Sequence, residues 1–148
     1  MTQQSSTNQY KYREDHATLS CDCPVGNGLS DYDGVAFRFV HKDTTHQNCS
    51  LPITKIRSVR KSNNCKKDCG GFAISFYVSL EKARESHKYF ADNSPVFKQT
   101  VGEHIAECKL TSTDGKREAI RDDGHFNFHE FEGTDFTNRF ENIVPAQP

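Results

Sequence analysis

Four cysteines in two loops and three histidines in the C-terminal half are the side chains best suited to do chemistry in this chain. Cys21-x-Cys23 and Cys65-x3-Cys69 supply four sulfurs. Zinc prefers a tetrahedron of thiolates gripped by loops, so Cys21, Cys23, Cys65 and Cys69 are the candidate metal ligands and Zn the candidate cofactor. The spacings differ from the two-residue spacing of the strongest zinc signature, and reduced structural cysteines are the competing reading. Lys66 and Lys67 favour thiolate at their neighbours, which suits metal binding or reactivity. The histidines are His104, His125 and His129. On a strand His125 and His129 lie about 13 Å apart, too far for one metal, whereas on a helix they are adjacent. A histidine pair can also run acid–base cleavage of RNA, although the balanced charge of the chain argues against that partner.

The stretch Asp68-Cys69-Gly70-Gly71-Phe72 resembles the Asp-Cys-Ser-Gly-Phe core of the NlpC/P60 cysteine peptidases. The resemblance implies Cys69 as nucleophile, His104 as base, and His125 or Asn127 as the group that orients the base. A thiolate attacks, and an imidazole held by a polar partner shuttles the proton. A second stretch, Gly71 through Phe90, is similar to one segment of ADP-ribosyltransferases. It reads as an apolar strand, then Ser79, then a helix carrying Ala83 and Tyr89-Phe90. That resemblance implies Ser79 as the family's serine. It also requires an early-strand Arg or His, which this reading does not supply, and a Glu, for which Glu103 and Glu107 are the candidates.

The elements that must position these groups follow from periodicity. Val35, Phe37 and Phe39 alternate within Gly34–His41 and predict a strand. Ile53, Ile56 and Val59 suggest a weaker second strand, and Lys61 to Gly71 reads as a loop. Phe72 to Val78 is the most apolar run and suits a central buried strand. Ser79 is placed to cap a helix over Ser79–Ala91, with Glu81 in its first turn. Val101 to Phe131 holds two Asp-Gly steps, Asp114-Gly115 and Asp123-Gly124, and predicts a three-stranded meander. Within it His104, Ala106, Cys108 and Leu110 share one face. His125, Asn127 and His129 share a face opposite Phe126 and Phe128, read as an exposed polar face. Phe136 and Phe140 are expected to point inward, and Ile143-Val144-Pro145 to form an edge strand.

The 148 residues suit one domain, with eleven Phe as the main core material. Residues 1–15 lack apolar periodicity and read as a mobile tail, leaving residues 16–148 as the domain. The net charge of −1 argues against general nucleic-acid binding. No apolar window is long enough to span a membrane. Six cysteines without a recognisable export signal suggest reduced thiols and a cytoplasmic protein. The expected architecture is α+β: an antiparallel sheet of about five strands packed on one main helix, with a loop-rich N-terminal third. The leading functional expectation is a small binding or accessory protein that meets another protein through a sheet face or the cysteine-rich loops. The alternatives are the cysteine hydrolase and the ADP-ribosyltransferase-like domain.

Overall fold

The structure, a computed structural model, describes residues 9–57 and 62–148. The chain is α+β, built on a six-stranded antiparallel sheet. Its strands are β1 (Gly34–Val40), β2 (Ile74–Tyr77), β3 (His104–Leu110), β4 (Gly115–Arg117), β5 (His125–Glu130) and β6 (Glu141–Pro145). They lie in the order β4-β5-β2-β1-β3-β6. The longest helix, α4 (Leu80–Asn93), packs on β1, β2 and β3. The remaining helices are short: α1 (Arg13–His16), α2 (Ile53–Ile56), α3 (Cys65–Gly70) and α5 (Phe97–Val101).

Alternation in the strands separates two apolar layers. Ile74 and Phe76 of β2 join Phe126 and Phe128 of β5, Ala36 of β1, and Cys108 and Leu110 of β3 on one face. Phe136 closes that layer from the C-terminal segment, packing edge-on against Phe76 at 5.6 Å, while Tyr32 stacks on Phe126 at 4.8 Å. On the other face Phe37 and Phe39 of β1 meet Tyr77, Ile105, Leu80 and Ala83 beneath α4. Ser79 caps α4 as its spacing predicts, accepting the Lys82 N–H at 3.1 Å.

Several expectations need correction. The predicted meander forms only in its second half. β4 pairs with β5, but β3 lies three strands away, between β1 and β6. The Asp114-Gly115 step therefore does not close a hairpin. Asp114 is buried and organises the segment instead. Its carboxylate binds Arg139 and the Thr111 N–H, and its carbonyl accepts from Phe131 and Thr134. The second strand expected around Ile53 is the helix α2, because Pro52 precedes it and the Arg57 N–H closes on Ile53. The expected loop before Gly71 contains α3, capped by Asn64 on the Lys67 N–H. Val59 and Lys61 lie outside the described residues.

The tail boundary also moves. Residues 1–8 lie outside the described residues, but residues 10–15 are docked on the domain. Tyr10 bridges to Phe131, and Lys11 reaches the buried Glu130 at 2.7 Å. Phe131 is nearly fully buried in that contact. No helix among the described residues is long and apolar enough to cross a membrane.

The expected compartment is overturned. Cys21 is bonded to Cys65, and Cys23 to Cys69. Two disulfides point to an oxidising, non-cytoplasmic compartment, where such bonds form and persist. The cytoplasmic expectation rested on treating all six cysteines as thiols, which holds only for the buried Cys49 and Cys108.

Candidate functional site

The main concavity opens where β1 and β2 part. The two strands share a single registered pair, Phe37 with Tyr77. Continuing that register would place Phe39 opposite Ser75; instead both line a cleft of about 470 Å³. That volume lies within the range of small-molecule sites. One wall carries Leu51, Pro52, Ile53, Ile56 and Arg57 from the α2 segment, and another carries Phe90, Phe97 and Thr100 from α4 and α5. Tyr77, Arg121, Asp123 and His125 also line it.

Arg38 holds the parted strands. Its side chain is buried and donates to four carbonyls: Cys49 at 2.7 Å, Ser75 at 3.0 Å, Asn48 at 3.3 Å and Leu51 at 2.9 Å. The guanidinium thus reaches across from β1 to one carbonyl of β2, that of Ser75, and fastens the segment 48–51 beside it through the other three. Burial lowers its pKa, and the neighbouring Cys49 and Glu130 oppose that shift.

The polar groups of the cleft are ordered around Ser75. The His125 Nε2 lies 3.0 Å from the Ser75 Oγ. Burial pulls the His125 pKa down to about 4, with Arg121 adding to the shift and Asp123 opposing it. The imidazole is therefore neutral near pH 7. Its Nδ1 is buried with no hydrogen-bond partner. Tyr77 packs edge-on to His125 at 5.4 Å, and burial raises its pKa to about 12. Near pH 7 its hydroxyl is therefore neutral.

The sites expected from sequence come together only in part. The four sulfurs predicted to grip zinc do converge, but as two disulfides. A cystine sulfur offers no thiolate to a metal or to a substrate carbonyl. Cys69 is thus neither a free ligand nor a free nucleophile in this structure. Among the described residues, no group of three or more His, Cys, Asp or Glu side chains is placed to hold a metal ion.

The proposed triad is also dispersed. His104 opens β3, where it pairs with Val40 and Pro145, on the opposite side of β1 from β2 and β5. Asn127 does approach α3: a Cβ on Gly70 would lie 2.8 Å from its Nδ2. Glycine at position 70 is what lets α3 sit that close to β5.

The polar face of β5 is not a solvent-facing surface. His129 is 1% exposed and Asn127 is 8% exposed. The His129 Nε2 meets Glu118 at 2.7 Å, and Asn27 donates to the same carboxylate at 3.1 Å. Burial pushes the Glu118 pKa up, but these hydrogen bonds outweigh it and hold it below the ordinary value. His16 packs on His129 with ring centroids 5.8 Å apart, and burial lowers its pKa to about 4. The N-terminal segment and α3 cover this face, which is why sidedness alone misjudged its exposure.

Sequence reasoning missed Arg38, Ser75, Arg57, Arg121 and Asp123. One signal was present for Arg38: a single cation inside the alternating run Val35–Phe39. The parting of β1 from β2 has no local signal at all. No protein-family model, curated protein or solved structure matches the chain.

Proposed function

We propose that the protein is a binding protein whose β1–β2 cleft takes a small, ring-bearing anionic ligand of the nucleotide class. The observation that carries this reading is the cleft itself, about 470 Å³ beside the seam where buried Arg38 of β1 donates to the Ser75 carbonyl of β2. Phe39, Tyr77, Phe90 and Phe97 offer rings or ring edges to a planar group. Ser75, His125 and Asp123 offer a few placed polar atoms within apolar walls, the usual composition of a ligand site. This reading keeps the binding role expected from sequence and moves it from a protein partner to a small molecule. The β5 face that a partner would have used is buried.

The test is calorimetric titration and thermal shift with AMP, ADP, ATP, NAD and adenosine on the disulfide-intact chain. Saturable binding with a rise in melting temperature supports the reading. Flat titrations across the whole panel overturn it.

One observation favours a more specific second reading, the ADP-ribosyltransferase-like domain. Arg38 occupies the first strand beside the cleft, the place where that resemblance asks for an Arg or His, but its guanidinium is engaged by four main-chain carbonyls. Ser79 is engaged as the α4 cap, whereas Ser75 faces the cleft. Among the described residues no Glu side chain lines the cleft; Glu103 pairs with Lys98, and Glu107 binds Asn142. Binding therefore stands ahead of transfer. Release of nicotinamide from NAD, lost in Ser75→Ala, would reverse that order.

A further inference from the structure

We infer that Arg57 and Arg121 are the specificity-determining residues of the cleft, and that together they hold the phosphate of its ligand. The inference rests on the nucleotide reading above and adds which residues read the charged end. Both side chains line the cleft. They come from separate parts of the chain, Arg57 at the C-terminal cap of α2 and Arg121 in the turn before β5. Both residues are exposed. Neither makes an ion pair or a side-chain hydrogen bond among the described residues, whereas Arg13 and Arg139 each pair with a carboxylate.

Arg38, the third arginine of the cleft, differs from both. Its donors are consumed by four main-chain carbonyls, so it shapes the site and has little left for a ligand. The carboxylate lining the cleft is Asp123, whose Oδ1 already accepts the His125 N–H. Among the described residues of the cleft, two cations with open donors stand with one acid whose Oδ1 is engaged, so their balance is positive. Arginine's planar fork matches phosphate oxygens in pairs, so guanidinium discriminates phosphate from a neutral group more sharply than a point charge does. The aromatic side chains Phe90 and Phe97 lie on the α4–α5 wall, leaving the ring end of the ligand to that side.

The test compares AMP with adenosine on wild type, Arg57→Gln and Arg121→Gln, each with its disulfides intact. Wild type is expected to bind AMP more tightly than adenosine. Each substitution should weaken AMP roughly 10-fold, the scale of one charge-assisted contact, and leave adenosine unchanged. The AMP advantage should also shrink as salt rises. Equal losses for AMP and adenosine, or no loss in either variant, overturn the inference while leaving the cleft reading intact. A wild type that binds neither overturns both. Inorganic phosphate is a separate arm. Micromolar phosphate binding without any AMP preference would show a free-anion site and also overturn the inference.

Discussion

The two halves of the sheet are joined very differently. β1 and β3 share seven consecutive registered pairs, from Gly34–Leu110 to Val40–His104, an unbroken ladder. β2 and β5 share four, from Ile74–Phe128 to Tyr77–His125. Between these two ladders, β1 and β2 share one. The β6–β3–β1 half and the β2–β5–β4 half of this one sheet thus meet at a narrow seam. Where backbone pairing is complete, the surface offers nothing to a ligand beyond side chains. Where it fails, the Ser75 carbonyl turns to Arg38, which also holds the carbonyls of Asn48, Cys49 and Leu51, and a cleft opens beside them. The seam concentrates both the structural vulnerability and the functional opportunity of the molecule.

If that comparison is right, the largest effect in the protein comes from Arg38. Arg38→Met keeps most of the apolar stem but leaves four carbonyls without their donor. Leaving buried polar groups unpaired costs about 1–3 kcal/mol each before relaxation, so a loss on the order of 4 kcal/mol is expected. Urea unfolding measures it. A loss under about 1 kcal/mol would mean the seam is held by something other than the guanidinium.

The next effect concerns the two covalent ties. Cys21–Cys65 and Cys23–Cys69 both anchor the N-terminal loop to α3, which leads into β2. The sequence separations are 44 and 46, so either bond alone limits the unfolded chain by about 4 kcal/mol in the chain-entropy picture. The second bond closes only a small extra ring and adds roughly 2 kcal/mol. A Cys23→Ser/Cys69→Ser pair should therefore be milder than full reduction, which should lower the melting temperature by well over ten degrees. Melting with and without reductant checks the ranking. Equal melting temperatures in the reduced and oxidised protein would contradict it.

Much of β1, β2 and α4 was readable in the sequence, whereas the pairing of β3 and much of the seam were not. Val35, Phe37 and Phe39 recur at strand spacing, Phe72 to Tyr77 is apolar but for Ser75, and Ser79 with Glu81 marks the start of α4. Each of those signals is local. Asp114-Gly115 misled because a turn residue says that the chain reverses, not which strand it then meets. Asp114 in fact binds Arg139, a partner 25 residues away. The four cysteines do meet, but Cys65 and Cys69 stand on α3 and not in a loop, and composition cannot say whether sulfurs meet as thiolates or as disulfides. The cleft was invisible for a deeper reason. It comes from hydrogen bonds that two distant strands fail to make, and no spacing in the sequence encodes an unmade bond.

The buried histidines give the comparison a pH axis. His125 lines the seam and His16, at the end of α1, packs on His129, and burial lowers both pKa values to about 4. Unfolded, each titrates near 6.5, so between about pH 6.5 and 4 the unfolded chain binds more protons. The stability these neutral rings contribute is complete above pH 6.5 and is lost as pH falls towards 4. A loss on the order of 2 kcal/mol per ring is expected, allowing for solvent near them. His125→Phe should flatten part of the slope and leave the His16 part. Stability that is level from pH 7 to 4.5 in wild type would show that neither ring is held neutral.

The smallest effect tests whether α4 ties the two halves together across the seam. The helix packs on β1 and β3 of one half and on β2 of the other, so loosening its first turn should be felt on both sides. The Ser79 hydroxyl accepts the Lys82 N–H at 3.1 Å, and Ser79→Ala removes that cap. The expected cost is about 1 kcal/mol, recovered in Ser79→Asp, which also complements the positive end of the helix. Hydrogen exchange separates a local from a shared effect. Faster exchange confined to residues 80–83 means the cap serves the helix alone. Faster exchange that extends to the backbone amides of Phe37 and Tyr77 means α4 clamps the one registered pair joining the two halves, and the cleft depends on its roof as well as on Arg38.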